Sequence, residues 1–332
     1  MIVDSGFRAA WWLKNPHAQT VWPALRRRPR EVALRRERVT LPDGDFVDLD
    51  YAPTGPGPVV LLLHGLEGDP GSVYARAMLA AFSDAGHVAV RMFHRSCSGE
   101  LNRRAQLYHS GFTDDAVVVM NLLRARYPGR PLALVGVSLG GSVALNLVGR
   151  PGAAEGLQYM PEAVVAISVP FELAACARRI DRGWSRVYQR RLLASMQAKV
   201  AAKRAGGTLT GAPPAVDPDR ALQAENFFEF DDAFTAPLHG FSGAEEYYRV
   251  CSARQYLGRI QTPTVVVQAI DDPFMTPEAL PSAAELAPAV TLECSARGGH
   301  VGFVGGRTPG RATYWLEPKV VATLRRMLGS TV

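Results

Sequence analysis

The stretch Leu132-Ala133-Leu134-Val135-Gly136-Val137-Ser138-Leu139-Gly140-Gly141 decides how this chain is read. Six apolar or small residues suit a buried strand, and they run without a break into Gly-x-Ser-x-Gly. Ser142-Val143-Ala144-Leu145-Asn146-Leu147-Val148 then continues in helical register. A serine on such a strand–turn–helix junction sits in strained backbone geometry, with its Oγ pushed out above the sheet. Glycines two residues before and two after are needed because a Cβ there would collide across the turn. The five-residue pattern alone is common. Here the strand before it and the helix after it favour an exposed nucleophile over a glycine-rich turn with an ordinary serine.

The same rhythm extends to both sides. Continuous apolar runs predict buried strands over 58–63, 88–93, 163–168, 264–270 and 290–294. Amphipathic stretches predict helices over 72–85, 113–127 and 316–328. Strand–helix alternation at this spacing implies an α/β fold with a mostly parallel, doubly wound sheet. Residues 1–57 read as an N-terminal arm, irregular and rich in arginine and proline. It leads into a strand pair over 32–40 and 46–51, turned by Leu41-Pro42-Asp43-Gly44. Residues 58–169 form the first part of the core. The rhythm breaks over 170–258, which reads as a helical cap insertion, and resumes over 259–332.

Composition sets outer bounds. With 332 residues and 47% hydrophobic content, the chain can bury a large core. Its net charge of +6 is carried by scattered arginine pairs such as Arg178-Arg179, Arg190-Arg191 and Arg325-Arg326. Scattered pairs fit a solvated surface, with peripheral contact to an anionic membrane left open. No nucleic-acid reading motif accompanies them. Cys97, Cys176, Cys251 and Cys294 show neither zinc spacing nor Cys-x-x-Cys and fit a reducing compartment. No leader-like or membrane-spanning stretch is visible, so the expectation is a soluble, cytoplasmic protein. Oligomeric state is not legible.

A serine hydroxyl needs a base, and the base needs an acid to hold its tautomer. Asp271-Asp272-Pro273-Phe274 follows one late strand, and Gly298-Gly299-His300-Val301-Gly302 follows the last. The order Ser, Asp, His is the one used with a nucleophile on this kind of junction. Of the seven histidines, only His300 lies in a glycine-flanked loop after the last strand. His64 suits loop support and His87 a structural role, while His109 and His239 are reserves for a base or a substrate contact. An acid just ahead of the apolar pair Phe274-Met275 favours Asp272. Asp271, the alternative, would then cap the turn or contact the loop backbone. Backbone N–H groups of Leu66, after His64-Gly65, and of Leu139 would hold a developing oxyanion. Phe171, Trp184, Phe227, Phe228 and Phe230 either line an acyl pocket or pack the cap on the sheet.

These residues resemble the YheT-like branch of the α/β-hydrolases, kin to the α/β-hydrolase-domain lipases of eukaryotes. The resemblance runs nearly end to end. It includes Asn15-Pro16-His17-Ala18-Gln19-Thr20, His64-Gly65-Leu66-Glu67-Gly68, Tyr108-His109-Ser110-Gly111 and Thr235-Ala236-Pro237-Leu238-His239-Gly240-Phe241, besides the segments around Ser138, Asp272 and His300. One departure stands out. The family shows Arg-Gly before its Cys-Ser-Gly segment, whereas this chain has Arg95-Ser96 before Cys97-Ser98-Gly99. The resemblance implies an α/β-hydrolase fold and a serine esterase or lipase acting on acyl esters, lipid esters included. Ser138, Asp272 and His300 would be its triad, and no metal or organic cofactor would be needed. The alternatives are a hydrolase of thioesters, amides or lactones on the same triad, or a non-catalytic lipid- or protein-binding relative.

Overall fold

The computed structural model describes residues 1–53 and 55–329. Thr54 and residues 330–332, which fall in the 1–57 and 259–332 segments, lie outside the described residues. Among the described residues nine strands form one sheet. They are β1 (Ile2–Asp4), β2 (Arg35–Thr40), β3 (Phe46–Tyr51), β4 (Val59–Leu63), β5 (Val88–Met92), β6 (Leu132–Val137), β7 (Ala163–Ile167), β8 (Thr264–Ala269) and β9 (Val290–Ser295). Their order is β1-β9-β8-β7-β6-β4-β5-β3-β2. Only β3 runs against its neighbours, β2 and β5; all other pairs are parallel.

Strand parity splits the core into two layers. Leu61, Leu63, Leu134, Val164 and Val266 face α3 (Asp114–Arg126) and α4 (Leu139–Gly149). Leu62, Val135, Val137, Val165 and Val267 face α2 (Val73–Asp84) and α11 (Leu316–Leu328). Both faces of the central strands are covered, so those strands read as unbroken apolar runs instead of alternating ones. Each such side chain contributes about 1.5–3 kcal/mol of burial.

Between β7 and β8 the chain is helical, as expected. It forms α5 (Leu173–Ile180), α6 (Arg186–Ala205), α7 (Pro218–Gln223), α8 (Phe227–Phe230), a π-helical turn (Asp231–Thr235), α9 (Ala236–Leu238) and α10 (Ala244–Cys251). Leu193, Val200, Ala221, Phe230 and Phe234 give this insertion its own small core. After β9 a short hairpin, β10 (Val304–Gly305) with β11 (Thr313–Tyr314), precedes α11.

The arm departs from its reading as irregular. Ile2–Asp4 pairs in parallel with β9 at the sheet edge, and Pro16–Arg26 forms an 11-residue helix, α1. The Asn15 side chain accepts from the Ala18 N–H, and Pro16 occupies the first turn, where its missing N–H costs nothing. The first strand of the expected pair starts at Arg35, not 32.

Ser96, at the position where the resemblance expects glycine, has a glycine-like backbone at φ 63. Its hydroxyl donates to Asn102 Oδ1 and accepts from the Asn102 N–H, which offsets the cost of a side chain in that region.

Candidate active site

The turn at Ser138 begins with steric necessity. A Cβ on Gly136 would lie 2.3 Å from the Gly140 carbonyl oxygen, and one on Gly140 would lie 2.4 Å from that of Leu63. The packing leaves Ser138 at φ 55, ψ −120 and at the N-cap of α4. Its N–H is held by the Ile167 carbonyl at 2.8 Å. Strand and helix together push the hydroxyl out of the sheet.

Three of the expected residues meet there. His300 Nε2 lies 2.9 Å from Ser138 Oγ, and His300 Nδ1 lies 2.8 Å from Asp272 Oδ2. Asp272 also accepts from the Phe274 N–H at 2.8 Å. Asp271 points elsewhere, with its Oδ1 accepting the Gly299 N–H at 2.9 Å. The Phe274 ring stacks on the imidazole at 4.0 Å between centroids, covering one face of it.

The loop carrying His300 rests on α1, the helix the sequence reading passed over. Thr20 Oγ1 accepts the His300 N–H at 2.9 Å. The fully buried Gln19 side chain accepts from the Val304 N–H and donates to the carbonyls of Val304 and Leu13. The Asn15-to-Thr20 segment is therefore a seat for His300. Gln19→Ala leaves those backbone groups unpaired in the interior. It is expected to cost about 2–4 kcal/mol in urea unfolding and to lower kcat more than it changes KM.

The loop after β4 is fixed from both sides of Leu66. The Gly65 N–H donates to the Tyr74 hydroxyl at 2.8 Å and the Glu67 N–H to the Tyr108 hydroxyl at 2.9 Å. Tyr108, Ser195 and Lys199 all donate to the Glu67 carboxylate, two of them from cap helix α6. Glu67 itself sits at φ 57. Among the described residues the N–H groups of Leu66 and Leu139 have no acceptor, and both residues line the cavity at Ser138. His64 acts within the loop: Nδ1 donates to the Gly65 carbonyl and Nε2 accepts the His94 N–H. Burial pushes its pKa well below the ordinary histidine value, so the ring is neutral.

Comparison with known proteins agrees with this architecture. Residues 58–306 match the family described as the alpha/beta hydrolase fold. The Escherichia coli K12 protein YheT, which carries an esterase name, is 40% identical over 312 residues, covering 92% of this chain and 89% of that protein. The chain belongs to the α/β-hydrolase family. Within it, it falls in the YheT branch of esterases and lipases. Mouse phospholipase ABHD3 is 27% identical over 326 residues, covering 95% of this chain and 77% of that protein. Among solved structures, the Pyrococcus furiosus esterase Pf2001 superposes with a TM-score of 0.55 at 14% identity, covering 99% of this chain and 98% of that one. That likeness concerns the fold.

In this α/β-hydrolase a cavity of about 120 Å³ opens beside Ser138. Ile180, Leu192, Met196, Phe274 and Met275 supply much of its apolar wall. Of the five cap aromatics singled out from sequence, only Phe227 lines it. Phe171 is buried in the sheet core and Phe230 packs within the cap. Phe228 is largely exposed, and Trp184 is 73% exposed. His87 is buried beneath the surface, away from Ser138, with neither ring nitrogen hydrogen-bonded. His109 lines the cavity and His239 packs edge-on against it at 4.3 Å. No group of three or more potential metal ligands occurs among the described residues.

Proposed function

We propose that this hydrolase cleaves carboxylic esters through an acyl-enzyme formed on Ser138. The observation that carries the reading is the single row Ser138 Oγ, His300, Asp272, with contacts of 2.9 and 2.8 Å. The Asp272 carboxylate holds the His300 proton on Nδ1, which leaves Nε2 free to take the Ser138 proton. Ser138 Oγ attacks the ester carbonyl, and the N–H groups of Leu66 and Leu139 stabilise the oxyanion. His300 then protonates the departing alkoxide and later draws a proton from the water that releases the acid. The relatives named as esterase and phospholipase support acyl esters, lipids included, over thioesters, amides or lactones. The test is a p-nitrophenyl ester series from acetyl to palmitoyl, followed by rapid mixing. A burst of p-nitrophenol with one equivalent per site is expected, along with an optimum at short to medium chains that suits the small cavity. Turnover indistinguishable from buffer across the series would reject the reading.

Peripheral contact with an anionic membrane belongs to the same proposal. Residues 14–30 hold five Lys or Arg and no acid; residues 173–205 hold nine, of which Lys199 and Lys203 turn inward, and one acid, Asp181. Leu25, Trp184 and Val187 are exposed among them. Ring contacts link this surface to the site: Trp184 to His17, His17 to Tyr188, Tyr188 to Phe274, and Phe274 to His300. Exposed apolar side chains among arginines suit a lipid surface better than a nucleic acid. Cosedimentation with phosphatidylglycerol vesicles is expected at low salt and should be lost at about 0.5 M salt. Absence of binding at every salt concentration would reject the contact.

A further inference from the structure

Two polar side chains on the cap side of the cavity take no part in the Ser138 chemistry. His109 lies in the loop before α3, and Asp231 opens the π-helical turn Asp231–Thr235. Turns of this rare type concentrate at functional sites. Both residues line the same cavity as Ser138, and they are only 6% and 9% exposed.

Their hydrogen-bonding states are complementary. The Gly111 N–H donates to His109 Nδ1 at 3.1 Å, so the neutral ring carries its proton on Nε2. Burial, then the neighbouring His239, push the ring's pKa well below the ordinary value and keep it neutral. Nε2–H meets no acceptor among the described residues, yet it is not sealed from the cavity. The Asp231 carboxyl accepts the Tyr248 hydroxyl on Oδ2 at 2.7 Å, with the Thr235 hydroxyl beside it. Burial raises its pKa to about 6, which leaves it ionised at pH 7. The carboxyl also takes a hydrogen bond from the Thr235 hydroxyl, and Asp231 still lines the cavity.

A donor and an acceptor that face a mostly apolar cavity favour a bound group able to pair with them. A hydroxyl can pair with either group, because it both accepts and donates. An ammonium offers donors alone and leaves the His109 N–H unpaired. A carboxylate offers acceptors alone and meets the charge of Asp231. The site is also built rigidly. The Ser110 N–H donates to the Tyr247 hydroxyl at 3.2 Å, which ties the His109 loop to α10, the helix that also supplies Tyr248.

We propose that His109 and Asp231 form a hydroxyl-binding subsite, and that the preferred substrate is an ester carrying a free hydroxyl remote from the scissile carbonyl. This rests on the ester-hydrolase reading above. Two substrate pairs test it: p-nitrophenyl 6-hydroxyhexanoate against p-nitrophenyl hexanoate, and 1-monohexanoylglycerol against ethyl hexanoate. The wild-type ratio of kcat/KM, hydroxylated over plain, is expected to favour the hydroxylated ester in one pair. The pair that responds tells whether the hydroxyl sits on the acyl or the alcohol side. Asp231→Asn and His109→Phe are each expected to lower that ratio about tenfold or more, since a site built for a hydroxyl discriminates by the groups left unpaired. The wild-type ratios need no variant to fold. Turnover with ratios near one in both pairs, or ratios unmoved by both substitutions, would overturn the subsite alone. A wild type inert on all four esters would overturn the hydrolase reading and the subsite with it.

Discussion

Ser138→Ala is expected to lower kcat on a p-nitrophenyl ester by about four to six orders of magnitude, with KM little changed. The residue is the only hydroxyl within hydrogen-bond distance of His300 Nε2 among the described residues, at 2.9 Å. Without it the proposed oxyanion N–H groups of Leu66 and Leu139 and the cavity remain, so some acceleration over the buffer rate should survive. The burst of p-nitrophenol should vanish altogether. The same substitution carries a stability reading. Ser138 is held at φ 55, ψ −120, a region in which a side chain costs about 1–3 kcal/mol. Alanine keeps that cost, so Ser138→Ala should melt close to wild type. Glycine removes it, so Ser138→Gly should melt higher while being equally inactive. A Ser138→Ala protein that retains more than about a tenth of wild-type kcat would remove Ser138 from the mechanism. The two melting temperatures would then still report whether the turn is strained.

What could be read in advance follows the physics of each element. Strands β4 to β8 were legible because both faces are buried, which forces long apolar runs. The last helix was read to its observed ends, 316–328, since one apolar stripe faces the sheet and a glycine follows it. The three-residue β1 is too short to show a period, and its pairing with β9 spans almost the whole chain. Helix α1 was hidden by arginine and tryptophan, although Asn15-Pro16 is a start signal that could have found it. The cap resisted for another reason. Whether a cap phenylalanine lines the cavity or packs behind it depends on helix rotation, which tertiary contacts decide. Phe227 and Phe230 lie less than one turn apart on the same short helix, and only the first reaches the cavity. His109 sits in a loop and Asp231 in a π-helical turn far along the chain, so no local pattern could join them.

The two adjacent carboxyls give the second large effect. Asp272→Asn is expected to lower kcat by about 10⁴, and Asp271→Asn by less than about tenfold. The residues are neighbours and both are half-buried or more, so charge alone does not separate them. Their partners do. Asp272 Oδ2 faces His300 Nδ1 at 2.8 Å, where an amide can turn its NH₂ toward the ring and hold the proton on the wrong nitrogen. His300 would then present Nε2–H to Ser138 and could not take its proton. Asp271 Oδ1 accepts the backbone N–H of Gly299 at 2.9 Å, and an asparagine carbonyl can do the same. Burial raises the Asp271 pKa, so exchanging it for a neutral amide removes a charge that the interior already disfavours. Its loss should therefore appear in the ordering of the His300 loop far more than in the chemistry. Single-turnover acylation rates for the two variants decide the matter. Equal losses would mean that the acid's role is shared between them, and a larger loss for Asp271→Asn would move the acid to that residue.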